Sequence, residues 1–298
     1  LLYFILRLTF FIEFLGALFL APSFCQKVGL LRGIYFAVFH SISSFCNAGF
    51  DLFGNSLMDF VGDPIVNVTV MLLIIAGGLG FTTWADIRLN RGNFHAYTLQ
   101  SKIALTMTAA LILIPGLFFF FFELDPSTSL SEHFLISFFQ SVTTRTAGYN
   151  TIDIKDFSET GRAALIALML IGGSPGSTAG GIKKTTAFTL FAIMIATFRL
   201  KKDPTCFSRR LSSETQRHAV TILMMYLLLF ASGSVLLNLI DGIRLIDSAF
   251  ETASALGTVG LSIGVTDDLG PLSKYVMMLL MFFGRIGGLT VIFATHAH

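Results

Sequence analysis

Thr146-Ala147-Gly148-Tyr149 decides the fold of this chain when read beside Asn47-Ala48-Gly49-Phe50 and Thr258-Val259-Gly260-Leu261. Each tetrapeptide follows a short amphipathic stretch and precedes a long apolar run. A membrane protein builds a pore in this way, with backbone carbonyls exposed at a glycine turn on the tip of a half-spanning helix. Non-helical backbone is tolerated in a bilayer only where protein buries it or where it lines water. Three such segments therefore predict one shared cavity, and a fourfold ring would need a fourth.

Working outward, the chain is 54% apolar and 13% charged over 298 residues, against about 25% charged in soluble domains. Residues 64–85, 103–122, 163–182 and 219–240 approach the ~20 residues of a transmembrane helix with no isolated charge at their centres. Residues 8–24 and 275–294 each carry one charge, Glu13 and Arg285. Six membrane crossings are expected. Basic residues gather in two loops, Arg88, Arg91 and Lys102 in one and Arg199, Lys201, Lys202, Arg209, Arg210 and Arg217 in the other. Asp51, Asp59, Asp63, Glu123, Asp125, Asp153, Asp156, Asp241, Asp267 and Asp268 occupy the alternate loops. Basic loops stay cytoplasmic, so the glycine turns should open outward, and topology accounts for the Arg/Lys clusters without nucleic acid. Cys25, Cys46 and Cys206 form no CxxC pair, which argues against a disulfide framework or zinc site. Leu1 is not an initiator Met and the chain starts almost inside an apolar run, which predicts a fragment.

Gly49 and Gly148 are 99 residues apart, and Gly148 and Gly260 are 112 apart, longer than solenoid periods. Each unit reads as spanning helix, short helix, glycine turn, spanning helix. The units are expected over residues 1–95, 96–205 and 206–298. The first has helices near 2–22, 34–46 and 64–87; the second near 101–122, 131–145 and 160–198; the third near 217–239, 245–257 and 271–295. Phe39, Phe138 and Phe250 each stand eight positions before the first turn residue and are expected to pack the short helix. Gly77-Gly78-Leu79-Gly80 and Gly284-Arg285-Ile286-Gly287-Gly288 read as sites of close helix contact.

Successive carbonyls in an extended Thr-x-Gly turn can replace an ion's water shell, and glycine supplies the backbone angles this requires. Oxygen ligands without a carboxylate ring favour a monovalent cation over calcium. Potassium is the expected ion, at Asn47, Ala48, Gly49, Phe50, Thr146, Ala147, Gly148, Tyr149, Thr258, Val259, Gly260 and Leu261. Because Asn47 replaces Thr and the fourth position varies, the ring should be asymmetric and discriminate potassium from sodium less sharply than four identical turns.

Residues 161–198 are too long for one crossing. Their centre, Gly172-Gly173-Ser174-Pro175-Gly176-Ser177-Thr178-Ala179-Gly180-Gly181, cannot comfortably continue a helix. An unwound loop at membrane depth is expected there, read either as a flexible kink or as a gate beneath the turns. A phosphate-binding loop is set aside because Gly181-Ile182-Lys183 breaks the Gly-Lys adjacency. Lys183 and Lys184 would face the cytoplasmic cavity. Arg285 is a functional candidate as an intramembrane charge, contacting loop carbonyls near Gly176 or pairing with an acid such as Glu13. Arg145 should brace its turn from behind.

At these residues the chain resembles the Trk/Ktr/HKT superfamily of potassium transporters. Residues 43–50, 144–150 and 254–261 look like its second, third and fourth pore loops. Residues 173–183 are similar to the intramembrane gating loop of its third repeat, and Gly284-Arg285-Ile286-Gly287 resembles its last inner helix. KtrB-type bacterial membrane subunits look most similar, with TrkH-type subunits next. The resemblance implies an all-α integral membrane fold of tandem parallel M1–pore helix–filter–M2 repeats around a central pore, as in potassium channels. It implies a first repeat that this chain lacks. It further implies potassium uptake, no covalent cofactor, a homodimer, a KtrA-like or TrkA-like cytoplasmic nucleotide-binding ring on the basic loops, surrounding membrane lipid and a multi-pass location in the bacterial inner membrane. Sodium as coupling ion and ATP dependence both occur in the family, and no residue here decides between them.

Two other functional classes fit the sequence less well. A secondary cation transporter with broken helices explains the Gly-Pro break but predicts inverted repeats, whereas these units run in the same direction. An enzyme fits poorly, because His40, His95, His133, His218, His296 and His298 are scattered without an HExxH or GxSxG motif.

Overall fold

The computed structural model describes residues 2–123, 128–201, 203–207 and 209–287. Asp125, Lys202, Gly288, His296, His298 and the end of the expected last span, 288–295, lie outside the described residues. Among the described residues, three helices are long and apolar enough to cross a membrane uninterrupted, namely α1 (Leu2–Val28), α5 (Leu99–Phe122) and α9 (Ser213–Asp241). Their outer faces are apolar and exposed, as with Phe10, Phe14 and Leu18 on α1 and Leu228 and Leu239 on α9. Lipid, not water, is the solvent that such a face suits.

A short helix follows each crossing: α2 (Leu30–Phe45), α6 (Leu130–Thr143) and α10 (Leu245–Gly257). These are the interior of the protein; ten of the thirteen residues of α10 are buried. Local chemistry sets the starts. Ser129 caps α6: its Oγ accepts from the Glu132 N–H and donates to Glu132 Oε2. Thr98 and Ser212 cap α5 and α9 in the same way. Phe250 is fully buried, while Phe39 and Phe138 are half-buried. Phe138 packs against α5, where a Cβ on Gly116 would meet its ring at 3.0 Å, whereas the ring contacts of Phe39, with His40 at 5.7 Å and Tyr35 at 6.5 Å, lie within its own helix.

The first unit departs from expectation at its hairpin. Helix α1 runs through Pro22 to Val28, and Gly29 alone, at φ 85°, links it to α2. Gly33 makes this tight return possible, because a Cβ there would strike the Cys25 backbone.

The inner helices differ more from six plain crossings. Residues 64–85 are not one straight span: α3 (Pro64–Gly78) and α4 (Phe81–Asn90) meet at 93°. The break is Gly80, at φ 87°, where a Cβ would crowd the Pro175 carbonyl. In the second unit α7 (Glu159–Met169) and α8 (Lys184–Phe198) flank a long non-helical stretch, and in the third α11 (Pro271–Ile286) stops at Gly287, φ 79°. Gly77 and Gly284 do serve close contact, against the carbonyls of Phe45 and Leu256 at the tips of α2 and α10. Gly80 and Gly287, three residues on, are helix stops instead.

The two basic loops share one end of the bundle. The Phe94 ring lies 6.0 Å from that of Phe207, which tops a hairpin of β1 (Thr205–Cys206) and β2 (Arg209–Arg210). At the opposite end Glu123 accepts from the Ser158 N–H and hydroxyl at the start of α7, and Asp241 accepts from the Gly270 N–H.

Candidate functional site

Helices α2 and α10 end in the same pair of hydrogen bonds, whereas α6 ends with the Ala147 N–H on Thr143 O at 3.0 Å. The Asn47 N–H donates to Ser44 O at 3.1 Å and the Ala48 N–H to Ser43 O at 2.9 Å; Thr258 and Val259 repeat this with Ala255 and Ser254 at 3.0 and 2.8 Å. This is the helix-ending pattern normally completed by glycine in a left-handed conformation. Here Asn47, Thr146 and Thr258 take that conformation, at φ 50°, 70° and 54°, and the turn glycines Gly49, Gly148 and Gly260 follow at 70°, 86° and 92°. A β-branched threonine at positive φ is a genuine outlier, and its recurrence in one place marks a site where geometry outranks comfort.

The three turns converge. A Cβ on Gly49 would strike the Ala147 carbonyl and approach Gly148 Cα at 3.2 Å, and one on Gly148 would strike the Val259 carbonyl and approach Gly260 Cα at 3.3 Å. The order is thus Gly49, Gly148, Gly260, each glycine packed on the next turn. Gly260 meets no such carbonyl, only Gly148 Cα at 3.6 Å. Exposure follows the same line: Ala147, Tyr149, Val259 and Leu261 are buried, whereas Ala48, Phe50 and Gly260 are exposed. Among the described residues three sides of a ring are present, with an open flank between the Gly260 and Asn47 turns.

Side chains tie the turns from behind. Tyr149 Oη donates to Phe50 O at 2.9 Å across adjacent turns, Ser43 Oγ donates to the same carbonyl at 3.0 Å, and Thr143 Oγ1 donates to Tyr149 O. Tyr149 was expected only as a carbonyl donor; its ring sits fully buried and its hydroxyl is a brace. At the inner end, buried polar side-chain atoms of Asn47, Thr146 and Thr258 have no hydrogen-bond partner among the described residues. Polar groups in that state are rare unless a ligand or water meets them. The C-termini of α2, α6 and α10 end at these turns, so their partial negative charge faces the same point.

The glycine-rich loop lies directly below. A backbone bridge of Ile171 with Ile182 closes its neck, with the Gly172 N–H donating to Ile182 O at 2.9 Å. Its body fills the break in the neighbouring inner helix. The Ser174 N–H donates to Gly78 O at 3.1 Å, the Thr178 N–H to Gly77 O at 3.4 Å, and Gly176 O accepts from the Phe81 N–H at 3.1 Å. The orphan groups on both sides of the α3–α4 bend are thus satisfied by the loop. Thr178 Oγ1 reaches Phe45 O at 3.1 Å, and a Cβ on Gly180 would strike the Thr258 side chain. Gly173, Pro175, Ser177, Ala179 and Gly181 complete this plug-shaped segment; Ser177 Oγ closes it on itself through Ser174 O at 2.6 Å.

Arg285 reaches the loop as expected, donating to the carbonyl of Thr178, two residues from Gly176, at 2.8 Å. No ion pair joins it to Glu13 among the described residues; the Glu13 carbonyl accepts from Ser41 Oγ instead. Lys183 Nζ donates to Ala179 O at 2.6 Å and borders a cavity of about 220 Å3 with Tyr226 and Ile286. Lys184 does not share that cavity, contrary to expectation. It is buried and donates to Thr108 Oγ1 at 2.8 Å, because the first turn of α8 rotates it toward α5. Arg145 is buried on the same α5 residue, with a long 3.5 Å contact to Thr108 O, behind its turn. Nothing in the sequence pattern pairs these two cations; adjacency of Lys183 and Lys184 suggested a common face.

A family model described as a cation transport protein, TrkH, matches residues 1–297. The chain is 40% identical to the potassium/sodium uptake protein NtpJ of Enterococcus hirae over 98% of this chain and 66% of that protein. It is 38% identical to the Ktr system potassium uptake protein B of Vibrio alginolyticus over 94% of this chain and 63% of that one. Its fold is similar to the crystal structure of the potassium transporter TrkH from Vibrio parahaemolyticus, with a TM-score of 0.76 at 20% identity, covering 97% of this chain and 63% of that chain. The chain therefore spans just under two thirds of the length of these relatives. Helices that cross a bilayer, parallel units around converging glycine turns and a match along almost its whole length agree: the chain belongs to the TrkH family of cation transport proteins, which are transporters and not enzymes.

Proposed function

We propose that this chain supplies three quadrants of a potassium-conducting pore for uptake across the inner membrane of a bacterial cell. The observation that carries this is the packing of Gly49 on the Gly148 turn and of Gly148 on the Gly260 turn. In this reading the peptide oxygens of residues 47–50, 146–149 and 258–261 replace the water around potassium. The unpartnered side-chain oxygens of Asn47, Thr146 and Thr258 form its inner edge. A further unit of the same design fills the open flank between the Gly260 and Asn47 turns; potassium uptake by the similar NtpJ and Ktr proteins, which are longer, supports this. Residues 172–181 with Lys183 form the gate, held by Arg285. The basic loops face the cytoplasm and receive a KtrA-like or TrkA-like nucleotide-binding ring, and two copies of the full protein pair as a homodimer in lipid. No covalent cofactor takes part.

Uptake by the full-length protein in cells lacking their own potassium systems tests this. Gly148→Ser and Gly260→Ser should each lower the preference for potassium over sodium by about tenfold or abolish uptake, since serine is strained at positive φ and its Cβ collides at Gly148. Unchanged uptake and preference in both variants would remove the filter assignment.

A further inference from the structure

Glu251 lies on the buried face of α10, seven positions before Thr258 and only 2% exposed. The same register holds His40 in α2 and Phe139 in α6, so packing of a short helix does not by itself call for a carboxylate there. Its Oε1 accepts from Ser262 Oγ at 2.7 Å and from the Ile263 N–H at 3.0 Å, and its Oε2 accepts from Thr266 Oγ1 at 2.6 Å. Ser262 Oγ in turn accepts from the Gly264 N–H at 2.9 Å. No cation pairs with Glu251 among the described residues. The nearby Asp247 takes both local arginines, Arg244 at 2.8 Å and Arg162 at 3.6 Å. A carboxylate buried without a counter-ion is costly unless hydrogen-bonded, and here every bond goes to one short segment.

That segment, residues 261–266, is the continuation of the third glycine turn. Residues 260–264 make no backbone–backbone hydrogen bond among the described residues. Their amides are held by side chains instead: Gly260 by Ser254 Oγ at 3.2 Å, Ile263 by Glu251 and Gly264 by Ser262. The segments after the other two turns are clipped to each other, with the Asn150 N–H on Ser56 Oγ at 3.0 Å and the Leu57 N–H on Asn150 O at 3.1 Å. The third turn stands at the open flank and has no such clip.

We propose that Glu251 is a positioning residue that fixes the carbonyls of Gly260 and Leu261 and thereby sets ion discrimination in that quadrant. The inference rests on the filter reading above. A carbonyl cage distinguishes ions through the number and placement of its oxygens, and bonds to a charged acceptor are the short, stiff ones. Glutamine keeps the shape and one acceptor for the Ile263 N–H, while the two hydroxyls can turn to accept from its amide. Alanine leaves an amide and two hydroxyls without their acceptor.

The test measures KM for potassium, KM for sodium and maximal rate in membranes carrying the full-length protein, for Glu251→Gln, Glu251→Ala, Ser262→Ala and Thr266→Val, with Gly148→Ser alongside. Glu251→Ala should change the ratio of the two KM values by about tenfold, the scale of one lost hydrogen bond to a charged group. Glu251→Gln, Ser262→Ala and Thr266→Val should move it less and in the same direction, with maximal rates per assembled protein changing less than the ratio. If Glu251→Ala does not assemble, the other three variants decide. A ratio unchanged in Glu251→Gln, Ser262→Ala and Thr266→Val while Gly148→Ser shifts it means that Glu251 only fills the core, and the proposal is wrong. If Gly148→Ser also leaves the ratio unchanged, the filter reading falls first and takes this inference with it.

Discussion

Arg285 ties the end of α11 to the glycine-rich loop. Its guanidinium donates to Thr178 O at 2.8 Å, on the loop segment that also reaches Phe45 O at the tip of α2. A hydrogen bond from a charged donor contributes about 1.5–3 kcal/mol, enough to bias a loop between two positions. In Arg285→Gln the loop should sit in its blocking position less often, and initial rates of rubidium uptake by the full-length protein should rise about fivefold or more. An unchanged rate would leave the arginine a structural anchor. Thr146 and Thr258 make a related point at the same scale. Their positive φ could not be read from the letters, because threonine ordinarily avoids it. Their recurrence before a glycine was visible; the strain that marks them was not.

At the scale of elements, the glycine-rich loop and the α3–α4 break are one construction. Each supplies the hydrogen-bond partners that the other lacks, through Gly77, Gly78 and Phe81 on one side and Ser174, Gly176 and Thr178 on the other. Sequence composition exposed the loop, since Pro175 and five glycines cannot stay helical. It did not expose the bend, because Gly77-Gly78-Leu79-Gly80 reads equally well as a contact surface within a straight span. Deleting residues 174–180 should therefore do two things. Flux should rise or lose regulation, and the protein should unfold at lower temperature in detergent by several degrees, since at least three backbone groups lose partners at about 1 kcal/mol each. Higher flux with unaltered thermal stability would mean that α3 and α4 rearrange without the loop, and unaltered flux would reduce the loop to a kink.

At the scale of the whole molecule, the open flank beside Gly260 controls what residues 1–298 can do alone. A cage missing one wall leaves an ion partly hydrated, and discrimination by carbonyl placement fails. The chain reconstituted by itself in liposomes should pass potassium and sodium with a ratio within about twofold of unity, or pass neither, while the full-length protein should favour potassium. Strong potassium preference by residues 1–298 alone would show that the flank closes by other means, such as a second copy. The placement of both basic loops at one end also predicts that binding of a cytoplasmic partner weakens as salt rises from low to physiological concentration.

Periodicity and charge distribution in the sequence were enough for the membrane class, the three glycine turns and the non-helical loop, because these are local matters: an apolar run of sufficient length, a glycine after a short helix, a proline among glycines. Only the tertiary structure decided that Gly49, Gly148 and Gly260 pack in that order, that Lys184 turns toward Thr108, that α3 breaks at Gly80 and that Glu251 holds residues 262–266. Each of these depends on which distant backbone group arrives to satisfy an exposed donor or acceptor. In a bilayer, where water cannot serve as the substitute partner, that arrival and not local propensity settles where a helix bends and where a buried charge can stay.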